Sequence, residues 1–315
     1  MWGNTDQASP DGVVVAGIDI GGTKIDVALA GPDRTILARH RLDTLVADGP
    51  AAAVRRIAEA TAELCTRHAA GAELAAVGVV CPGVVQGDRI LLAPNLPGWE
   101  DADLAGALRD ALGVPRVGIT NDVRAGALAE ARSGALRGSR SGLYVNLGTG
   151  LAAALVVNGQ VVEGAHQAAG EIGYSQPLGA LGAWPAAAHA HLETAVSGAG
   201  LANRAANVLG EPVDAADLFR RTDPVSRHVV HQALAALGTA LVNLAVFVDP
   251  DRVVVGGGLT GSAGVVLPVL DAHLRAGVPF PPEVVLGVFT SGASLHGAVH
   301  LAVDLMTKNV AEAQR

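Results

Sequence analysis

Two apolar runs joined at a glycine pair, Val14 to Ala30 (VVAGIDIGGTKIDVALA), constrain this chain more than any other stretch. The first run ends in Asp19, Gly21 and Gly22 make a bend, and Ile25, Val27 and Leu29 leave it in alternation, which predicts strand, tight turn, strand. Glycines can take positive φ there and let main-chain N–H groups approach an anion, while Asp19, Thr23 and Lys24 crowd the bend with polar groups. Taken alone, the pair also fits an ordinary hairpin with a soluble tip. A second copy changes the reading: Leu143 to Val162 (LYVNLGTGLAAALVVNGQVV) repeats the plan around Gly148, Thr149 and Gly150, and Asn158-Gly159 offers the next hairpin turn. Such repetition in the two halves of a chain predicts two related domains facing one cleft, each with a phosphate-binding turn.

The 315 residues suffice for two domains. Half are apolar but only 3% aromatic, so the core must be built from Ala, Val and Leu, which suits α/β layers. A net charge of -8 argues against non-specific nucleic-acid binding, which needs clustered Lys and Arg. Cys65 and Cys81 are too few for a disulfide framework and point to a reducing cytosol. Residues 1–13 read as a flexible polar tail with no signal peptide. Val229 to Val248, interrupted by Gln232, Thr239 and Asn243, reads as a buried helix in preference to a membrane span. Neither nucleic acid nor membrane is an expected partner.

Along the chain, TILARHRLDT predicts a third strand, and a helix from Pro50 to about His68 carries Val54, Ile57, Ala58, Thr61, Leu64 and Cys65 on its core face. AAVGVVCPGVV predicts a buried strand turning at Pro82-Gly83. Leu104, Leu108 and Leu112 mark a helix with Asp101 near its start. VGIT is then a strand ending at Asn121-Asp122. The second half repeats the order with inserted helices, a strand at DRVVVGGG, a helix over Val265 to Arg275, the strand EVVLGVF and a terminal helix from Ser294 to about Met306. Asp122, between a strand and a helix, can be a helix N-cap or a group presented to a crevice. VVVGGGLTG fits a dinucleotide fingerprint, but it falls late in the chain and the expected acid is displaced to Glu283.

DIGGTK, the Asn121-Asp122 pair, LGTG, GAHQAAGEIG and VVVGGGL, in this order, resemble the ROK family of sugar kinases and related repressors, within the actin/hexokinase-like fold. The likeness runs from Val14 to the last helix. It implies two ribonuclease H-like domains around a central cleft: 14–120 with about 294–315, and 121–293. It implies that Asp122 is the general base toward a sugar hydroxyl and that Gly83, Asn95, Asn121, Glu171 and Glu193 line the sugar pocket with it. Glu193 matches because His191-Leu192-Glu193 and then Ser197-Gly198 stand where the family has Cys-Leu-Glu ahead of Ser-Gly. For Asn95 the alternative is a turn residue. Phosphates fall to Gly21, Gly22, Thr23 and Lys24 and to Gly148, Thr149 and Gly150, with Gly256, Gly257 and Gly258 on the adenosine side; no Walker loop occurs. Asp19 would lie near magnesium through water, or else bond its own turn. ATP and Mg2+ are the implied cofactors, and a homodimer is the expected assembly.

The chain departs from the family at the zinc motif. Tyr174 replaces a histidine ligand, and Trp184, Ala186 and His191 stand at cysteine positions, so no zinc is expected; His189 and His191 cannot complete a shell. Leu178, Leu181, Trp184 and Pro185 are expected to cluster instead. The replaced histidine also touches sugar in zinc-bearing relatives, which leaves the hexose open. The leading expectation is a hexokinase acting on the 6-hydroxyl of glucose or a close relative. The alternatives are an amino-hexose kinase such as a kanosamine kinase, a polyphosphate-using enzyme, and a sugar-sensing repressor, for which the 13 residues ahead of Val14 are short.

Overall fold

A computed structural model describes residues 12–87, 89–176 and 191–312. By contacts the chain divides into two compact units, one formed by the residues up to Ala129 together with those from Gly292, the other by Glu130–Ser291.

The first unit is built on a five-stranded sheet in the order β3-β2-β1-β4-β7. Strands β1 (Val13–Ile20), β2 (Lys24–Ala30) and β3 (Ile36–Asp43) form an antiparallel meander, and β4 (Glu73–Cys81) and β7 (Val117–Asn121) continue it parallel to β1. A small hairpin, β5 (Val84–Gln86) and β6 (Arg89–Leu91), follows β4. The helices are α1 (Gly49–His68), α2 (Leu104–Leu112), α3 (Asp122–Ser133), which continues into the second unit, and the terminal α9 (Ala293–Glu312). Apart from Asp19 near its end, strand β1 is apolar because both its faces are covered. Val14, Ala16, Ile18 and Ile20 pack with Val54, Ile57 and Leu64 of α1 and Leu104 and Leu108 of α2. Val15 turns the other way, with Ala28, Ala30 and Ala76, against Leu295, Val299, Ala302 and Val303 of α9.

The second unit repeats the plan in the order β10-β9-β8-β11-β12. Strands β8 (Ser141–Leu147), β9 (Leu151–Val157) and β10 (Gln160–Val161) form the antiparallel meander; β11 (Arg252–Gly256) and β12 (Glu283–Leu286) are its parallel continuation. The inserted helices are α4 (Leu192–Val196), α5 (Gly198–Leu209), α6 (Ala215–Arg220), α7 (Pro224–Val248) and α8 (Ala263–Gly277). Helix α7 is long and apolar enough to cross a membrane by length and composition. Its Val230, Ala233, Leu237 and Leu241 recur at helical spacing and lie in the unit's core with Leu270 and Leu274 of α8.

The structure sharpens the reading of the helices. Asp103 caps α2 by accepting from Gly106 N at 2.7 Å, and Asp101, near the helix start as expected, pairs with Arg89 on the surface. Cys65 and Ala58 are half-buried at the edge of the α1 face, while Ala53 and Ala60 fill the core beside Ile57. The sequence places the junction near residue 121; by contacts it falls inside α3, whose first half packs on α9, where a Cβ at Gly297 would overlap the Ala125 carbonyl.

Candidate active site

Three neighbouring parallel strands of the first unit end side by side. Asp19 pairs with Val80 across β1 and β4, and Cys81 with Asn121 across β4 and β7, so Asp19, Cys81 and the Asn121-Asp122 pair reach the same edge of the sheet. The carboxyl ends of parallel strands are where open α/β sheets present chemistry.

The bend after β1 is closed by Gly21 N donating to Lys24 O at 2.9 Å. Thr44, fully buried, holds the bend from outside: its hydroxyl donates to Gly21 O at 2.6 Å and its N–H to Thr23 O at 2.9 Å. Arg56 of α1 in turn donates to Thr44 O. Neither Gly21 nor Gly22 is among the positive-φ residues, contrary to the role read from sequence. Gly22 is required by proximity instead, since a Cβ there would lie 2.9 Å from Asn95 Cβ and 3.0 Å from Asn95 O. The glycine turn and the candidate sugar residue Asn95 therefore touch. Gly83 does have positive φ, +89°, and a Cβ there would overlap Leu91 O and stand 3.0 Å from Ala93 Cβ. Thr23 and Lys24 are exposed at the tip.

The Asn121-Asp122 pair divides its duties. Asn121 Oδ1 accepts from Arg124 N at 2.8 Å, so Asn121, 4% exposed, supplies the capping bond to α3. Asp122 Oδ1 accepts from Val123 N at 2.9 Å. Asp122 is open to solvent, yet protein crowds its carboxyl and pushes its pKa up, against the lowering effect of the Val123 N–H. Asp19 is pushed up to about 6, chiefly by burial and further by the charges of Asp122 and Asp26, while the Ser294 hydroxyl, which donates to Asp19 Oδ2, and Arg41 oppose this. The Cys81 thiol is pushed up to about 12 by burial and by both aspartates, which excludes it as a nucleophile.

In the second unit the Gly148-Thr149-Gly150 turn docks on the start of α5: Gly198 N donates to Gly148 O at 2.8 Å and Ala199 N to Thr149 O at 3.2 Å. Gly257 has φ +93°, and a Cβ there would lie 2.6 Å from both Asn146 Oδ1 and Leu147 O. A Cβ at Gly148 would lie 3.5 Å from Gly258 N. The two glycine turns assigned to the nucleotide are thus adjacent. Gly256 backs them, its α-carbon against the Tyr144 ring.

Glu171 and Glu193 gather at the start of β9. Glu193 Oε2 accepts from Leu151 N at 2.8 Å, so one of its oxygens braces the glycine turn. Glu171 is preceded by Gly170, φ +95°, which any Cβ would drive into Ala153 O. Leu192 N donates to Ser175 O at 2.9 Å, tying the two glutamate segments together, and Tyr174 meets His191 edge to face with ring centroids 5.0 Å apart. Leu178, Leu181, Trp184, Pro185, Ala186 and His189 lie outside the described residues. Among the described residues, no three His, Cys, Asp or Glu side chains cluster as a metal shell.

Thr44, Arg56 and Ser294 escape a reading of the sequence. Thr44 is 23 residues from its partner Gly21 and Ser294 is 275 from Asp19, so no local spacing announces either.

The ROK family model matches residues 15–304. The chain is 31% identical over 308 residues to an N-acetylgalactosamine kinase of Shewanella sp. (strain ANA-3), covering 92% of this chain and 96% of that one. It is 30% identical to a glucokinase of Halalkalibacterium halodurans (82% and 84% covered) and to a kanosamine kinase of Amycolatopsis mediterranei (91% and 95%). Among solved structures, a ROK hexokinase from Thermus thermophilus aligns with TM-score 0.78 at 31% identity, over 94% of this chain and 100% of that one. A ROK glucokinase from Streptomyces griseus, in complex with glucose and AMPPNP, aligns at 0.70 and 25% identity, over 92% and 99%. Both units have the meander-plus-parallel sheet of the actin/hexokinase-like fold. With the family model matched over most of its length and relatives at 30% identity or more along most of theirs, the chain belongs to the ROK family.

Proposed function

We propose that this protein is an ATP-dependent sugar kinase that transfers the γ-phosphoryl group to the 6-hydroxyl of glucose or a close relative. One observation carries the reading: in the first unit the Asn121-Asp122 pair, Asp19 and the Gly21–Lys24 bend share one sheet edge, with Asn95 against Gly22. An acceptor-binding group, a base and a phosphate turn thus belong to one compact unit. Asp122 takes the proton of the attacking hydroxyl, and a carboxyl whose pKa is raised by burial is a stronger base than an ordinary one. Main-chain N–H groups of the bend and the exposed Lys24 offset charge on the transferred group. Asn121, Glu171, Glu193 and the backbone at Gly83 bind sugar hydroxyls. Gly148–Gly150 and Gly256–Gly258 hold the nucleotide.

The first-unit site suits magnesium. The charge of Asp122 raises the proton affinity of Asp19, and a hydrated divalent ion relieves that surplus of negative charge without a full protein shell. When bound, the ion neutralises phosphate charge in the transition state. Zinc is not part of the proposal, because Tyr174 and His191 pack ring to ring where the family places two ligands. Elemental analysis finding about one zinc per chain would remove that clause.

The names of two relatives favour a second reading, an amino-hexose or N-acetylated hexose acceptor. A coupled ADP-release assay over glucose, mannose, N-acetylgalactosamine, glucosamine and kanosamine, repeated with polyphosphate in place of ATP, separates these. Turnover highest with glucose or mannose and ATP is expected. Preference for an amino-sugar selects the second reading, and no turnover with any of them overturns the kinase.

A further inference from the structure

Asp19 is reached by a residue from the far end of the chain. Ser294 is the second residue of α9, and its hydroxyl donates to Asp19 Oδ2. It lies inside the helix, so the hydroxyl is not an N-cap.

The helix that carries Ser294 has little freedom to shift. A Cβ on Gly17 of β1 would lie 2.7 Å from Val299 Cγ2, and one on Gly118 of β7 2.7 Å from Leu305 Cδ1; one on Gly78 of β4 would overlap the Ala298 carbonyl. Bare backbone on three successive strands therefore lets α9 lie almost on the sheet. Leu295, Val299, Ala302 and Val303 complete the seam. The cation that acts on Asp19, Arg41, already binds Asp26 with two bonds, at 2.6 and 2.9 Å. A donor fixed in place thus meets a carboxylate whose other charged neighbours, Asp122 and Asp26, repel it.

We propose that Ser294 is a positioning residue for the phosphoryl-transfer site. Its hydroxyl holds Asp19 Oδ2 and leaves Oδ1 to accept from the hydration shell that a bound divalent ion would bring. The inference rests on the assignment of Asp19 to the metal side. Without the hydroxyl, the carboxylate rotates and the ion loses an oriented acceptor. The scale is that of one hydrogen bond to a charged group, about tenfold in affinity.

The test uses the full chain and Mn2+, whose spin signal reports binding, titrated in the presence of a non-hydrolysable ATP analogue. Sugar affinity is measured in parallel by calorimetry with the hexose that the activity panel selects. Ser294→Ala should weaken Mn2+ about tenfold and leave sugar affinity within about twofold, and Ser294→Thr should restore most of the loss. If Asp19→Asn weakens Mn2+ while Ser294→Ala binds it as the wild type does, the role of Ser294 is overturned and that of Asp19 stands. If Asp19→Asn itself binds Mn2+ normally, the assignment of Asp19 fails and takes the inference with it. Equal loss of Mn2+ and sugar in Ser294→Ala, unrescued by threonine, shows a merely structural contact and also overturns it.

Discussion

At Asp122 sequence leaves two roles in competition, helix N-cap and a group presented to a crevice. Asn121 takes the capping bond to Arg124, so Asp122 does not have to make it. Replacing Asp122 by Asn should lower kcat about a hundredfold or more while sugar binding persists, the usual scale for a lost general base. Steady-state kinetics with calorimetry checks this; near-normal turnover removes Asp122 from the mechanism. Asp19 gives a prediction in stability. Its pKa in the folded protein, about 6, lies above the 3.8 of the free side chain, so between these values the folded chain holds a proton that the unfolded chain has lost. The stabilisation is complete below about pH 4 and lost as pH rises through about 6. In metal-free protein, the stability difference between wild type and Asp19→Asn, from urea melts, should therefore fall across that window. A difference that stays level contradicts the burial of this carboxyl.

At the scale of elements, the seam between α9 and the sheet depends on absent side chains. A Cβ on Gly78 would overlap Ala298 O and stand 2.9 Å from Ala302 N, both backbone atoms that cannot swing aside. Gly78→Ala should destabilise by about 1–3 kcal/mol or more, through strain. Gly264, in the first turn of α8, has open space within 4 Å of where a Cβ would stand and no positive φ, so Gly264→Ala should stabilise by up to about 1 kcal/mol through helix propensity. Urea melts of the two variants check that one substitution has opposite signs at the two places. These elements are legible in the sequence to different degrees. Apolar runs and glycine bends disclose β1, β2, β8 and β9 because strand burial on two faces leaves a continuous pattern. The α2 cap is easily misplaced because Asp101 and Asp103 both precede the helix, and only the backbone path decides which side chain reaches Gly106 N.

For the whole molecule, any ligand that binds only the folded chain raises its stability by mass action. The hexose that proves to be the substrate should, at about a hundredfold above its dissociation constant, add about 2.7 kcal/mol to the folded chain and raise the melting temperature by several degrees. A non-substrate sugar at equal concentration should not. Calorimetric melts over the same sugar panel as the activity assay check whether binding and turnover select the same sugar.

The sequence by itself determined the duplicated strand-glycine-strand plan, the α/β class, the family and the local motifs, because each is carried by residues within one turn or one strand of each other. Tertiary structure alone decided what those motifs touch. It made Gly22 necessary through contact with Asn95 in place of a positive φ, and gave one Glu193 oxygen to the Leu151 N–H. It also bound Gly21 through Thr44 and Asp19 through Ser294. Hydrogen bonds between residues 23 and 275 positions apart leave no periodicity or composition to read: Thr44 meets Gly21 only after β3 has paired with β2, and Ser294 meets Asp19 only after α9 has packed on the sheet.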